Sequence, residues 1–238
     1  MRVDFVTLLP VLLIVAAVIG ANAYRNRRAG NRRATVTTIA SKGGWRYFED
    51  EPGLAERWPG DPFGRGDYPE VGNIIRGSWG ARKFVAFDYT YQVRQSLFRD
   101  RRSTGISSRH GVVVMKLPAS LPYLQVQHEN LLGEKVANLL TGEQDIQFES
   151  EEFNRLFRVT ADDTWYARAV IHPRMMNLLM DRGELGWRLS GGDLVGWHRG
   201  HHTEQELRRR LDFLAALIEE IPRQVWDDYS GTNQKKGD

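Results

Sequence analysis

The chain contains no cysteine. Disulfides, thiolate nucleophiles, Cys-ligated zinc and iron–sulfur sites are therefore excluded. A cysteine-free chain suits a reducing compartment, although exported bacterial proteins share this trait. Phosphate-binding and nucleophile-elbow motifs are missing too: GGW, GRG and SWG do not have the spacing of a P-loop, a GxSxG turn or a dinucleotide fingerprint. No internal repeat and no alternating βα period runs through the sequence. The pI near 9.2 points toward nucleic acid until the charge is partitioned. Residues 1–33 hold six arginines and one aspartate, which leaves 27 basic and 29 acidic side chains for the remainder. An acidic body carries no electrostatic footprint for a phosphate backbone, so no nucleic-acid partner is expected.

What the chain does have is an apolar run. Residues 5–23 read FVTLLPVLLIVAAVIGANA, without a charge, and Arg25, Arg27, Arg28, Arg32 and Arg33 follow. Nineteen helical residues span roughly 28 Å, close to a bilayer's hydrocarbon thickness. The reading is a single-pass transmembrane anchor at about 5–23 with a basic arm at its end. The five arginines mark the cytoplasmic side, which puts the N-terminus outside and the domain in the cytoplasm at the cell membrane. The same arginines sit where anionic lipid headgroups would meet them, and both topology and headgroup roles stand. The competing reading is an exported domain, because Ala21-Asn22-Ala23 fits a signal-peptide cleavage pattern near Ala23. A soluble core helix fits least, since no polar stripe interrupts the run.

The rest predicts one α+β domain over residues 34–229 with a disordered tail at 230–238. It has a mainly antiparallel sheet packed by helices and a long C-terminal helix. A short helix over 35–42 ends at Gly43-Gly44, and a strand follows at 45–48. Residues 50–68 read as an ordered loop, since Trp58, Phe63 and Tyr68 are too apolar for a linker. A hairpin over 71–79 and 83–93 turns at Gly80-Ala81. In its second arm 84, 86 and 88 alternate with 85, 87, 89, 91 and 93, which predicts one well-buried face. Residues 99–109 read as a loop, and 112–117 and 124–128 as two strands separated by Pro118 and Pro122. A helix is expected over 130–140, a strand at 145–148, a helix capped by Ser150, a strand over 157–161 and a helix capped by Asp162 or Asp163. Pro173 restarts that helix through 181. Gly191-Gly192 joins 187–190 and 194–197 as a final hairpin. Thr203 and Glu206 form a capping box, and 207, 211, 214, 217, 218 and 221 make one apolar stripe.

Four stretches carry a resemblance: SKGGWRYFEDEPGLAERWPGDPFGRG (41–66), IIRGSWGARKFVAFDYTY (74–91), DIQFESEEFNRLFRVTADD (145–163) and AVIHPRMMNLLM (169–180). They resemble an uncharacterised actinobacterial family of N-terminally membrane-anchored proteins with a soluble α+β domain. The resemblance covers most of residues 35–229. It implies a shared fold and placement, and assigns no activity to any residue.

Candidate chemistry is thin. His198, His201 and His202 form the densest ligand cluster, but they lie on a strand-to-helix loop without the spacing of a zinc site, and an exposed polar loop is expected. Asn154, Arg155 and His172 are candidate ligand contacts, each with a structural alternative: capping, ion pairing with Glu151 or Glu152, or packing at the Pro173 break. The carboxylates Glu149, Glu151, Glu152, Asp162 and Asp163 are mostly accounted for by helix starts. No catalytic residue, metal or cofactor is assigned. The leading expectation is a non-catalytic interaction or scaffold protein, with membrane lipids and an unidentified protein as partners. The alternative is a membrane-tethered, hydrolase-like enzyme using His172 or the 198–202 histidines.

Overall fold

The computed structural model describes residues 5–94, 105–128, 145–183 and 185–230, with backbone alone for 5–12, 14, 18, 25, 94, 105 and 106. It begins with a single helix, α1, Phe5–Gly43, of 39 residues. Nothing between Pro10 and Gly43 breaks it, so the arm and the short helix expected after it are one element. At about 1.5 Å per residue it is roughly 58 Å long. Its end is a Schellman cap. Gly44 adopts φ 67°, its N–H donates to Ser41 O at 3.1 Å, and Trp45 N–H donates to Ala40 O at 2.8 Å. Val36, Ile39 and Ala40, at helical spacing, are buried in the main core. The domain therefore starts within α1 rather than after it. Among the described residues, no helix is long and apolar enough to cross a membrane. Most side chains of the 5–23 run lie outside that set; Leu13, Val15 and Ile19, which lie within it, are exposed.

Among the described residues the strands form one six-stranded sheet. β1, Arg46–Phe48, pairs antiparallel with β2, Asp67–Trp79. β2 turns through Gly80 and Ala81 into β3, Arg82–Arg94, as the sequence predicts. β4, Gly105–His128, is one strand of 24 residues. Its first half pairs with β3 and its second with β5, Phe157–Ala161, while β6, Gly186–Arg199, follows its other edge. Two sequence expectations are corrected here. Pro118 and Pro122 do not separate two strands, and Gly191-Gly192 does not turn a hairpin. Both pairs lie where the β4–β6 register shifts, between Lys116 and Leu124. There the two strands bend together, because proline removes a ladder donor and Gly191 accepts φ 59°. Residues 105–109, expected as loop, extend β4. The stretch 145–148 is coil, although Ile146 N–H donates to Val159 O at 2.9 Å. The helix expected over 130–140 and the tail after Ser230 lie outside the described residues.

Helices cover one face. α2, Glu151–Leu156, is capped by Ser150; α3, Thr164–Val170, by Asp163. α4, Pro173–Arg182, starts at N-cap His172. α5, Glu204–Glu220, carries the predicted Thr203/Glu206 capping box, and α6, Arg223–Ser230, follows. Together with α1 they bury Phe84, Ala86, Val113, Met115, Leu124, Val126, Trp187 and Leu189. The opposite face is buried as well. The coil over 50–66 lays Leu54, Trp58 and Phe63 on Ile74, Phe87, Tyr89, Val112, Val114, Val195 and Trp197. Two buried faces replace the single one expected, because this coil supplies the apolar cover that the helices cannot reach.

Since the second half of α1 belongs to the core, Ile39→Ala is expected to destabilise the domain by about 2–4 kcal/mol. Urea denaturation followed by tryptophan fluorescence measures this. An unchanged midpoint would mean that α1 merely rests on the surface.

Candidate functional site

The most elaborate polar constellation lies where α1 meets the sheet. Asp88 sits on the helix-covered face of β3, level with Gly72 of β2 and Gly111 of β4, and Gly111 is level with His198 of β6. Arg32 reaches it from α1 as a fork: Nε donates to Oδ2 and Nη2 to Oδ1, both at 2.8 Å. Its third nitrogen, Nη1, donates to His202 O at 2.8 Å. Asn73 Nδ2 donates to Asp88 Oδ2 at 3.0 Å. Asn73 can reach because β2 is irregular between Gly72 and Ile75 and Asn73 itself takes φ 53°. His201 Nδ1 lies 3.1 Å from Asp88 Oδ1. Burial alone would raise the Asp88 carboxyl, but His201 and Arg32 outweigh it and hold it well below the usual range.

Behind Asp88 two imidazoles pack against each other. Gly200, at φ 91°, turns the chain after β6 and folds His202 back on His198, with ring centroids 4.7 Å apart. Gly111 makes room for both. A Cβ there would collide with His198 Nε2 and lie 2.8 Å from His202 Nε2. The acceptors fix the protons. His198 Nδ1 lies 2.7 Å from Arg199 O and His202 Nε2 lies 3.3 Å from Val112 O, so each of these nitrogens donates. His202 Nδ1 is then an acceptor for Arg210 Nη1 at 2.9 Å. A second proton on His198 would point Nε2–H at this same Nδ1, 3.2 Å away, in competition with the guanidinium. Burial first and Arg210 second accordingly lower His198 to about 4. Burial, His198 and Arg210 push His202 well below its ordinary value.

The expected exposed polar loop is thus corrected: His198 and His202 are buried, at 7% and 5% exposure. His201 alone faces outward, half-buried. The three do not act as one metal cluster, and among the described residues no group of three or more His, Asp or Glu is placed to hold a metal. His110 lies on the other face of β4. Its Nε2 is 3.0 Å from Ser108 Oγ and its ring stacks on Tyr91. This has the look of a nucleophile–base pair, but Nδ1 has no partner to orient the ring. Burial, then Arg199 and Arg65, lowers His110 to about 4, too acidic for a base at neutral pH.

The other candidates do not converge. Asn154 donates Nδ2–H to Phe148 O at 2.7 Å and accepts Phe148 N–H at 2.9 Å, which ties the coil before α2 to the helix. Arg155 is exposed in the last turn of α2. His172 caps α4 through Nδ1 and donates Nε2–H to Glu220 O at 2.9 Å, joining α4 to the end of α5. Glu151 and Asp162 are exposed. Of the headgroup arginines, Arg27 and Arg28 are exposed and the Arg25 side chain lies outside the described residues. Arg32 is withdrawn into the Asp88 contact. Arg33 is half-exposed, 2.5 Å from Glu49 Oε1. Asp88, Gly111 and Arg210 are the residues that sequence reasoning missed. A signal existed for the first, since an aspartate in phase with Phe84 and Ala86 on an apolar face demands a cationic partner.

With this geometry in view, the class is an antiparallel α+β domain entered by a long N-terminal helix. No protein-family model matches the chain, and no curated protein matches it. The solved structure of the mycobacterial trehalose monomycolate transport factor A is similar, with a TM-score of 0.59 at 13% identity. The likeness covers 80% of this chain and 96% of that one, and shows a shared fold.

Two outcomes follow. Removing one partner of a buried ion pair strands the other, so Asp88→Ala is expected to cost about 3–5 kcal/mol, and the loss should shrink in combination with Arg32→Met. A double-mutant cycle in urea measures the coupling; additive losses would refute it. The second concerns pH. His110 and His198 take up protons near pH 4 in the fold and near 6.5 when unfolded. Between those values the unfolded chain binds more protons, so stability falls as pH drops from about 6.5 to 4. His110→Phe, which keeps the stack on Tyr91, should flatten part of that slope, as read from urea midpoints across this range.

Proposed function

We propose that the chain is a single-pass, membrane-tethered accessory protein without catalysis of its own, whose domain is held rigidly at the cytoplasmic face and binds a protein partner there. The observation that carries this reading is the continuity of α1. One helix contains the apolar run and, without a break, the residues Val36, Ile39 and Ala40 that complete the core. The exposed Leu13, Val15 and Ile19 find no cover on the domain, which suits a helix continuing into hydrocarbon. Arg25, Arg27 and Arg28 are the cations left for headgroups and orientation once Arg32 is engaged. The Asp88 contact then sets the distance and rotation of the domain relative to the anchor, which a flexible linker would leave free. The histidines and Asn154 have their hydrogen bonds inside the fold, and this weighs against the hydrolase alternative. The similar solved structure is that of a transport factor, which supports an accessory role.

The test is fractionation and capture from gently solubilised membranes. The full chain is expected to stay in the carbonate-washed membrane pellet and to retain a specific protein partner, with Asp88→Ala weakening the partner's retention but not the pelleting. An N-terminus cleaved near Ala23, or a soluble full chain, would overturn the tether. A protease-protected domain in right-side-out vesicles supports the cytoplasmic orientation, and digestion of it would reverse the assignment.

A further inference from the structure

The strand face opposite the helices carries a second, cationic feature that none of these roles uses. Arg188 of β6 has 0% exposure and is among the largest fully buried side chains. An arginine is always charged, and burying one without a counter-ion is costly unless something compensates. Its hydrogen-bond partners are neutral: Nη1 donates to Asp61 O at 2.9 Å and to Gln125 Oε1 at 3.5 Å, and the Tyr123 hydroxyl also bonds the guanidinium. Its Cζ stands 5.7 Å from the centroid of Trp197. The Asp61 carboxylate is occupied elsewhere, by Arg65 and by Gln127 Nε2. Burial lowers the Arg188 guanidinium, with Tyr123 and Asp61 opposing.

The two nitrogens left over are informative. Nε and Nη2 of Arg188 are buried without a hydrogen-bond partner. They form the side-on edge of the guanidinium, the pair of parallel donors that grips two oxygens of one oxyanion. The register adds further donors on the same face. Arg188 is level with Gln125 of β4, and Gln125 with Thr160 of β5. Two strand spacings put Thr160 about 10 Å across from Arg188, within the reach of an arginine side chain plus one ligand. Thr160 Oγ1 and Arg158 Nε, on β5, are also buried without a partner. Native proteins leave few such atoms, and four on the two strands that flank β4, on one sheet face, is a concentration that asks for a ligand. Gly60 belongs to the same arrangement: at φ 80°, a Cβ there would lie 2.7 Å from Arg188 Nη1, so the coil can approach the guanidinium only as glycine. The coil is what covers this face, since the other face of β6 is the main core.

We infer that Arg188, with Thr160 and Arg158, forms a binding site for a phosphate-class oxyanion beneath the 50–66 coil. The fork alone would suit a carboxylate, but the additional hydroxyl and guanidinium donors call for more than two acceptor oxygens. Free phosphate and a phospholipid headgroup share this chemistry. The site does not depend on the tether, and would stand if the chain proved soluble.

The test uses the full chain in maltoside detergent micelles, which carry no phosphate, titrated with inorganic phosphate and in parallel with phosphatidylglycerol. The readouts are the thermal midpoint and hydrogen exchange in β6. Saturable protection by inorganic phosphate supports a free anion, and protection only by phosphatidylglycerol supports a headgroup. Arg188→Lys keeps a charge but loses the fork, and should weaken the apparent affinity roughly 10- to 100-fold, the worth of a charge-assisted hydrogen bond. Arg188→Met should fold at least as well without anion and show no protection. Thr160→Val supplies a second variant with weaker protection. Because Arg25, Arg27 and Arg28 are unchanged in every variant, arm–headgroup attraction cancels. Protection of neither kind in the unsubstituted protein, or equal protection in Arg188→Met, overturns the site.

Discussion

Much of this structure depends on how one carboxylate is neutralised. Asp88 lies inside the sheet, on a face otherwise given to apolar packing, and stays ionised because Arg32, His201 and Asn73 all turn toward it. Arg32 comes from the N-terminal helix, so satisfying the carboxylate and docking the helix are the same event. The fork geometry also fixes rotation: a helix turned by even one residue, about 100°, would carry Arg32 away from the sheet. Val36, Ile39 and Ala40 supply the apolar area of the interface and Arg32 its register. This division of labour, with burial for affinity and a buried charge for specificity, is one way that buried ion pairs are used.

The sheet separates two polar systems. On the helix side, the ion pair and the His198–His202 contact share a row of residues made passable by Gly111. Asp88, His198 and His202 each find partners within the protein, which makes it a device for holding elements together. On the coil side, Arg188 stands over Trp197 with its bidentate edge unmet. The distinction is one of bookkeeping by hydrogen bond: a buried network that satisfies itself specifies structure, and one with donors left over specifies something outside the chain.

Local features were legible where the cause was local. The Ser150 and Asp163 caps, the Thr203/Glu206 box, the Pro173 restart and the Gly80-Ala81 turn each depend on residues within a few positions of one another. So did the stripe on α5. Failures came where a distant partner decides. Pro118 and Gly191-Gly192 are breakers in their own segments, yet each bends a strand because the other bends beside it. The second buried face was hidden because its cover is an irregular coil without periodicity. The candidate residues divided in the same way. Asn154 and His172 are polar residues near helix starts whose capping could be anticipated, whereas Asp88, Gly111 and Arg188 gain their meaning chiefly from residues 50 to 130 positions away.

By itself the sequence determined composition-level facts: no thiol chemistry, an acidic body behind a basic arm, an uncharged apolar run, and an antiparallel α+β character. These follow from residue counts and from periodicities of 2 and 3.6, which need no knowledge of partners. Tertiary structure decided that the apolar run and the domain's first helix are one element and that Arg32 pairs with Asp88 of the domain. It also decided that two histidines of the 198–202 loop are interior and that an arginine lies buried with its fork unpaired. Each of these is a matter of what packs against what, and burial and electrostatics act across space, where sequence separation has no weight.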